Sequence, residues 1–391
     1  MKTWSTYFAV LFLSFSLLSA SGQNWGRRNL RIGIVAPLFL DSAFNKDGYR
    51  YGNSPARFTM AGMDFITGAE WALDSIPMAA NNYVRVRYID SRSAKGSLDM
   101  QIASGALDDL DMVITSVKDK DFAALSGLST QKNIPLISAS YPNDGGVRMN
   151  PNLVILNPTL RTHCEALFSA LVQEHGADNI YLVRQAGDQE DKVESFIKKC
   201  NRPDGKPLLT LSVINIGDDF SMLRTRIDST KKAVIIGGSL NEEFAENLCR
   251  EVYKIRGRQK VMIIGMPNWE GFAVLRNGSI KDMPVYFTSS LVTEDPDATQ
   301  KNLAEVYRKR YNSEPSELFF RGFDAVYFFA GLLATYPENT MSHLEEYAAT
   351  AYSPFEIKPV LNVSSNNIDY LENRHLPLVR SLNGRLSSHW Q

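Results

Sequence analysis

The chain has 391 residues, of which 44% are hydrophobic and 22% are charged; this balance is typical of a folded globular protein and unlike a disordered or collagen-like chain. Its 42 basic and 43 acidic residues give a formal charge of −1, which argues against nucleic acid or an anionic membrane surface as a partner. The length exceeds what one ordinary hydrophobic core supports and predicts two domains.

The N-terminal segment has the pattern of a secretory leader. Lys2 precedes an apolar run over residues 7–18, and small residues follow at 19–22. The run is shorter than the roughly 20 residues that a membrane-spanning helix needs, although a short anchor is the alternative. We therefore predict a signal peptide over residues 1–22 and a periplasmic, secreted protein.

Beyond the leader, apolar β-branched runs alternate with amphipathic stretches, which predicts an α/β fold of parallel strands and crossover helices. A long polar loop at residues 41–61 follows the first strand. The first series has predicted strands at 30–37, 84–90, 112–115 and 134–138, and predicted helices at 63–76, 97–107 and 121–131. The second series has predicted strands at 153–156, 179–184, 208–215, 233–237 and 260–266, and predicted helices at 161–175, 190–200, 220–229, 241–256 and 269–275.

The remaining segments decide how the two predicted lobes are assembled. A strand at 285–288 and helices at 299–311 and 319–336 are expected to return to the first lobe, and the pattern becomes strand-like from residue 355. Lobe 1 is therefore expected to comprise residues 29–155 plus 285–345. Lobe 2 is expected to comprise residues 156–284 plus 346–391, including a small β-rich C-terminal tail.

The three cysteines do not form a disulfide framework. In an oxidising compartment, Cys164, Cys200 and Cys249 allow at most one disulfide. Cys164 and Cys200 lie on two neighbouring predicted helices and could pair, but buried free thiols are the simpler expectation.

The chain lacks four common sequence motifs of cofactor-binding, phosphate-binding, hydrolase and zinc sites. The first strand is not followed by Gly-x-Gly-x-x-Gly, and the chain contains no P-loop, no Gly-x-Ser-x-Gly and no His-Glu-x-x-His. We therefore expect a protein that is not an enzyme and that has no cofactor and no metal site.

Polar residues at the carboxyl ends of the predicted strands are the candidate ligand contacts, since open α/β sheets bind ligands there. Ser116 follows one strand, while Ser138, Ser140 and Tyr141 follow the next. Hydroxyls and helix N-terminal N–H groups suit a carboxylate. The alternative is that these serines only cap helices and turns.

The second series has Asp188, Gly238, Trp269 and Glu270 at the equivalent strand ends. Asp188 or Glu270 could meet an ammonium group, and Trp269 or Tyr141 could cover an apolar group. Each of them could also be an ordinary loop residue.

Five short segments follow one another in a recognisable order: IGIVAPL at 32–38, GAEWA at 68–72, YID at 88–90, NIPLIS at 133–138 and RGFDAV at 321–326. In this order they resemble the type I periplasmic binding protein family, particularly the branched-chain amino acid binding proteins of ABC transporters. The resemblance implies two α/β lobes joined by three crossovers that close on a small ligand. It also implies that the first lobe holds a carboxylate, with Ser116, Ser138 and Ser140 in its ligand loops, and that the second holds an ammonium group.

The chain departs from the family pattern at two ligand positions and has a further similarity near its C-terminal end. Pro142 stands where the family has a hydroxyl residue, and no acid of the second lobe aligns with the family's ammonium ligand. The segment YLENR at 370–374, with Asn383 and Gly384, is similar to Gram-negative envelope proteins in which such a domain follows peptidoglycan-binding modules.

Two functional hypotheses follow. The first is an extracytoplasmic solute-binding protein that captures an amino acid or short peptide between its lobes and passes it to an ABC permease. The second is a cell-envelope interaction or sensing protein that keeps the fold without a transport role.

Overall fold

The structure is a computed structural model that describes residues 28–52, 54–76, 82–228, 232–256, 261–291, 298–347 and 353–388. The predicted signal peptide at 1–22 lies outside these residues. The strands are β1 Arg28–Ala36, β2 Phe44–Asn45, β3 Gly48–Tyr49, β4 Asn82–Asp90, β5 Met112–Thr115, β6 Leu136–Ser138, β7 Leu153–Ile155, β8 Asn179–Arg184, β9 Leu211–Asn215, β10 Ala233–Gly237, β11 Val261–Ile264, β12 Val285–Thr288, β13 Ile357–Leu361, β14 Ile368–Asn373, β15 Leu378–Leu382 and β16 Arg385–Ser388. The helices are α1 Leu40–Ala43, α2 Arg57–Ser75, α3 Leu98–Ala103, α4 Asp119–Lys132, α5 Leu160–Glu174, α6 Asp188–Cys200, α7 Leu223–Arg226, α8 Glu242–Ile255, α9 Ala298–Tyr311 and α10 Glu317–Thr335.

Two seven-stranded sheets form the centres of two lobes. The first sheet has the order β13-β14-β7-β6-β5-β1-β4, and the second has the order β16-β15-β12-β11-β10-β8-β9. Their central strands are parallel and buried, as the apolar runs predicted. The antiparallel pairs β13–β14, β12–β15 and β15–β16 complete one edge of each sheet. The two-lobed α/β fold predicted from the sequence is confirmed.

The expected lobe boundaries need a correction. Strand β12 pairs with β11 and β15, so residues 285–288 belong to the second sheet and not to the first lobe. Strand β14 pairs in parallel with β7, which places β13 and β14 in the first sheet and leaves only β15 and β16 of the tail in the second. The chain therefore passes between the sheets after β7, after β12 and after β14.

Helix α10 packs against α2 at two glycines. A Cβ at Gly68 would overlap the carbonyl of Phe319, and a Cβ at Gly322 would overlap the carbonyl of Phe65. The helix backbones can approach this closely only because both positions lack a side chain. Helix α10 is long and apolar enough to cross a membrane, but 78% of its apolar window is buried in the lobe, as expected for a core helix.

A carboxylate of the first lobe holds the N-terminus of the first helix of the second lobe. Oε1 of Glu372 in β14 accepts a hydrogen bond from the backbone N–H of Thr159 at 2.6 Å, and Oε2 accepts one from Oγ1 of Thr162 at 2.8 Å. Negative charge is stabilised at a helix N-terminus, where backbone N–H groups are free. This contact fixes α5 beside the crossovers, where the lobes meet.

The thiols of Cys164, Cys200 and Cys249 are free. Burial raises the pKa of the Cys164 and Cys249 thiols to about 12. These two residues therefore behave as small apolar core groups.

Candidate functional site

A cleft of about 670 Å³ opens where the two lobes meet. Its walls come from the crossovers, from the loops at the carboxyl ends of strands and from the first turns of α5 and α10. The polar residues that line it include Asn143, Asn157, His163, Gln189, Asn268, Glu270, Arg276, Thr288, Ser289, Ser290, Glu317 and Arg321. Its volume lies within the range of roughly 300–1,000 Å³ that is usual for small-molecule sites.

Arg321 is a buried cation on the first-lobe side of this cleft. It lies in the second turn of α10, and only 8% of its surface is exposed. Its Nε donates to Oε1 of Glu317 at 2.6 Å, and its Nη2 donates to Oδ1 of Asn157 at 3.0 Å and to Oγ of Ser290 at 3.3 Å. Among the described residues, no hydrogen-bond acceptor is found for Nη1. The guanidinium is therefore held in place with donors to spare, as the recognition of a carboxylate requires.

Glu270 is a partly buried carboxylate on the second-lobe side. It lies in the 3₁₀ turn Pro267–Gly271 that follows β11, and its Oε2 accepts a hydrogen bond from Oγ of Ser289 at 3.1 Å. Burial raises the pKa of Glu270, and Glu317 acts in the same direction, while the Ser289 hydrogen bond and Arg321 oppose the rise. A cationic ligand group next to Glu270 would stabilise its charged form, which burial away from water disfavours.

His163 lines the cleft beside Arg321. Its Nδ1 lies 2.8 Å from Oγ1 of Thr288, at the end of β12. Burial, followed by the positive charge of Arg321, lowers the pKa of His163 to about 3. The imidazole is therefore neutral at neutral pH, which leaves Arg321 as the cation at this point of the cleft.

This neutral histidine predicts a loss of stability in acid. The pKa of His163 is about 3 in the folded chain and about 6.5 in an unfolded one, so the unfolded chain takes up a proton that the folded chain does not. The free energy of unfolding should therefore be at its full value above about pH 6.5 and should fall as the pH drops from about 6.5 towards about 3.

Urea denaturation of the wild type and of His163→Gln, between about pH 7 and about pH 4, measures this contribution. The variant keeps a polar group opposite Thr288 but does not titrate, so its stability should fall less over this interval. Equal pH dependence of the two proteins would contradict the assignment of a buried, neutral His163.

The first-lobe residues predicted for the ligand lie beside the cleft but not in its lining. Oγ of Ser116 and Oγ of Ser140 are 2.8 Å apart, so the structure does bring these two together. The carbonyl of Ser140 accepts a hydrogen bond from Nδ2 of Asn157 at 2.9 Å, which connects the pair to the cleft wall. Ser138 is fully buried at the end of β6, and the hydroxyl of Tyr141 donates to Oδ1 of Asp119 at 3.1 Å.

The second-lobe predictions separate into one lining residue and three others. Glu270 lines the cleft, whereas Asp188 is exposed at the start of α6. Gly238 forms a buried turn in which its N–H donates to the carbonyl of Val183 at 2.8 Å. Trp269 is fully buried in the core of the second lobe, and its Nε1 donates to the carbonyl of Ser239 at 2.8 Å. Its ring therefore packs inside the lobe and does not cover a ligand.

No sequence motif predicts a site role for Arg321, His163, Asn157 or the serines at 289 and 290. Arg321 stands in the RGFDAV segment at 321–326, which carries the family resemblance but indicates no ligand contact. The other four lie at the crossovers between the lobes, so a search of those connections would have found them.

A comparison with protein families finds one match. The sequence profile described as "Periplasmic binding protein" matches residues 55–347. A search of curated protein sequences finds no match to this chain.

Solved structures with the same fold come from several bacteria. A protein described as a branched-chain amino acid ABC transporter from Rhodospirillum rubrum has a TM-score of 0.66 at 14% identity, covering 93% of this chain and 100% of its own. An ABC transporter substrate-binding protein from Desulfitobacterium hafniense has a TM-score of 0.61 at 12% identity, with the same coverages of 93% and 100%. LpoA from Haemophilus influenzae has a TM-score of 0.58 at 12% identity, covering 94% of this chain and 60% of its own.

Proposed function

From the premise that this chain belongs to the periplasmic binding protein family, we propose that it is an extracytoplasmic receptor that binds an amino acid or short peptide for an ABC-type uptake system. One observation carries the proposal. A buried arginine of the first lobe, Arg321, and a partly buried carboxylate of the second lobe, Glu270, line the same cleft.

The two charges suit the two ends of a zwitterion. Arg321 would take the ligand carboxylate through the donors that Asn157, Ser290 and Glu317 leave free, and Glu270 would take the ammonium group. Since each charge belongs to a different lobe, a ligand that bridges them would favour closure of the lobes around it. The roles are those that the family resemblance implies for the two lobes, with Arg321 in place of the serines predicted for the first.

Export and transport belong to the same proposal. The predicted signal peptide at 1–22 would place the protein in the periplasm, and an ABC permease would be the partner that receives the ligand. The proteins from R. rubrum and D. hafniense that share this fold are described as ABC transporter components.

A thermal-shift screen tests the proposed ligand class. The purified protein would be heated with amino acids, short peptides, sugars and cell-wall fragments, since a ligand that binds only the folded state raises the melting temperature. At a concentration about 100 times Kd the expected stabilisation is about 2.7 kcal/mol. We expect a saturable rise with amino acids or short peptides.

Matched derivatives of the same compound make the screen specific. Acetylation of the amino group removes the charge that Glu270 would bind, and amidation of the carboxyl group removes the one that Arg321 would bind. Each change should weaken binding and so lower the rise in melting temperature at a given ligand concentration. If no compound raises it, and pull-downs recover cell-wall enzymes or scaffold proteins instead of a permease, the envelope interaction hypothesis would replace this one.

A further inference from the structure

A second pocket lies in the insertion between β1 and α2, and its lining shares no residue with the lining of the cleft. Large apolar side chains in and beside it are between 39% and 50% exposed. Leu40, Phe44 and Met63 line the pocket, and ring contacts connect Tyr51 to the lining residue Tyr49 and to Phe58. Exposed apolar side chains that cluster in this way mark binding surfaces, because leaving them in water is unfavourable.

The pocket, here called the insertion pocket, has a volume of about 430 Å³ and is lined by residues between Leu38 and Met63. Two of its polar groups are already satisfied within the protein. The hydroxyl of Tyr49 donates to the carbonyl of Ser54 at 3.0 Å and accepts from the N–H of Ala56 at 2.7 Å. Oγ1 of Thr59 donates to the carbonyl of Ala56 at 2.8 Å. With these groups engaged, the pocket favours an apolar occupant.

The insertion pocket is held open by a buried carboxylate. Oδ1 of Asp90 accepts hydrogen bonds from the N–H groups of Leu38 and Phe39 at 2.9 and 3.1 Å, and Oδ2 accepts one from Leu40 at 2.8 Å. Edge-to-face ring contacts join Phe39 to Phe58 and Phe58 to Tyr51 at 5.5 Å. The walls are therefore ordered before anything binds, which lowers the entropic cost of binding.

The small apolar area and the charge around the insertion pocket indicate what kind of ligand it binds. A stable protein interface buries about 800 Å² on each partner, and a few half-exposed side chains around a concavity are better matched to one inserted chain. Lys46, Arg50 and Arg57 are exposed in the same insertion, with Asp47 as an exposed acid. The other acid of the insertion, Asp41, is offset by Lys95, whose Nζ lies 3.9 Å from its Oδ1. The surroundings therefore carry an excess of positive charge.

We propose that the insertion pocket binds the aliphatic chain of an anionic amphiphile, with the head group against the basic side chains of the insertion. The chain fills the apolar cavity, and a carboxylate at its end remains at the surface near Arg50 and Arg57. This site is separate from the cleft that contains Arg321 and Glu270. The proposal therefore stands whether or not the cleft binds amino acids.

The experiment uses laurate as the probe and the purified protein. Displacement of the fluorescent dye 1-N-phenylnaphthylamine by laurate, at concentrations below micelle formation, reports binding at an apolar site. Met63→Glu and Leu40→Glu place a charge in the pocket wall at exposed positions and should each weaken laurate binding at least about tenfold, as burying a charge is costly. Met100→Glu, at an exposed methionine of α3 outside the pocket, is the matched control and should bind as the wild type does.

Two further measurements test whether the laurate carboxylate contributes to binding and whether laurate binds in the insertion pocket and not in the cleft. Dodecanol has the same chain without the charge and should bind more weakly than laurate, and Arg50→Gln combined with Arg57→Gln should remove that difference. Arg321→Gln should leave laurate binding unchanged. The proposal is overturned if laurate does not bind, if Met63→Glu binds it normally, if dodecanol binds as well as laurate, or if Arg321→Gln abolishes binding. Binding of an apolar peptide in place of laurate would assign the pocket to a protein partner and overturn it as well.

Discussion

Replacing Arg321 by glutamine is expected to weaken binding of the ligand found in the thermal-shift screen by about 100-fold. Removing one partner of a buried, charge-assisted hydrogen bond typically costs about 2–5 kcal/mol, and about 1.4 kcal/mol corresponds to a factor of ten. The glutamine can still reach Asn157 or Ser290, so the change removes the charge more than it disrupts packing. Isothermal titration calorimetry of the wild type and the variant measures the ratio of their dissociation constants.

The matched controls distinguish a ligand contact from a general loss of stability. Arg148→Gln removes an exposed guanidinium of the first lobe that pairs with Asp144 and Asp369, and it should bind normally. Arg321→Lys keeps the charge but loses the planar pair of donors, so its affinity should lie between those of the wild type and Arg321→Gln. Normal binding by Arg321→Gln would show that the cleft does not use this residue.

Glu270→Gln tests whether Glu270 binds the ammonium group of the ligand. It should lose affinity for the free zwitterion while binding the N-acetylated ligand as well as the wild type does. Arg321→Gln should behave in the same way towards the amidated ligand. If either variant loses affinity for the derivative that already lacks the matching charge, the proposed pairing of ligand ends with the two residues is wrong.

The sequence predicted the elements well because their signal is local. Residues 112–114 and 233–236 are all apolar, and the structure has strands at Met112–Thr115 and Ala233–Gly237. Lobe membership depends instead on pairing between strands far apart in the chain. Nothing near residue 285 indicates that β12 joins β11, and nothing near residue 368 indicates that β14 joins β7.

The site was predicted less well for a related reason. The sequence places Ser138 and Trp269 just beyond a strand, which is where ligand contacts occur, but both side chains are fully buried. Burial depends on what packs opposite: Trp269 lies against Gly237 and Gly265, which leave space for an indole. The sequence does not single out Arg321 because it lies within the apolar stretch of a core helix and because its partners Asn157 and Ser290 are distant in sequence.

Trp269→Ala is expected to lower the free energy of unfolding by about 3–5 kcal/mol, the usual range for removing a large buried aromatic side chain. The ring fills the space over two glycines and donates to the carbonyl of Ser239 at 2.8 Å. Trp269→Phe keeps most of the apolar volume and should cost less. Urea denaturation followed by far-ultraviolet circular dichroism measures these changes without depending on tryptophan fluorescence.

A double-mutant cycle with Gly265 tests the packing directly. A Cβ at Gly265 would overlap the Trp269 ring, so Gly265→Ala alone should cost about 1–3 kcal/mol through overpacking. In the Trp269→Ala background the ring is gone and the added methyl group enters the space it leaves, so the second substitution should cost at least about 1 kcal/mol less than it does alone. Additive effects would mean that Trp269 and Gly265 are not in contact, and Trp269 would again be a candidate for the ligand cleft.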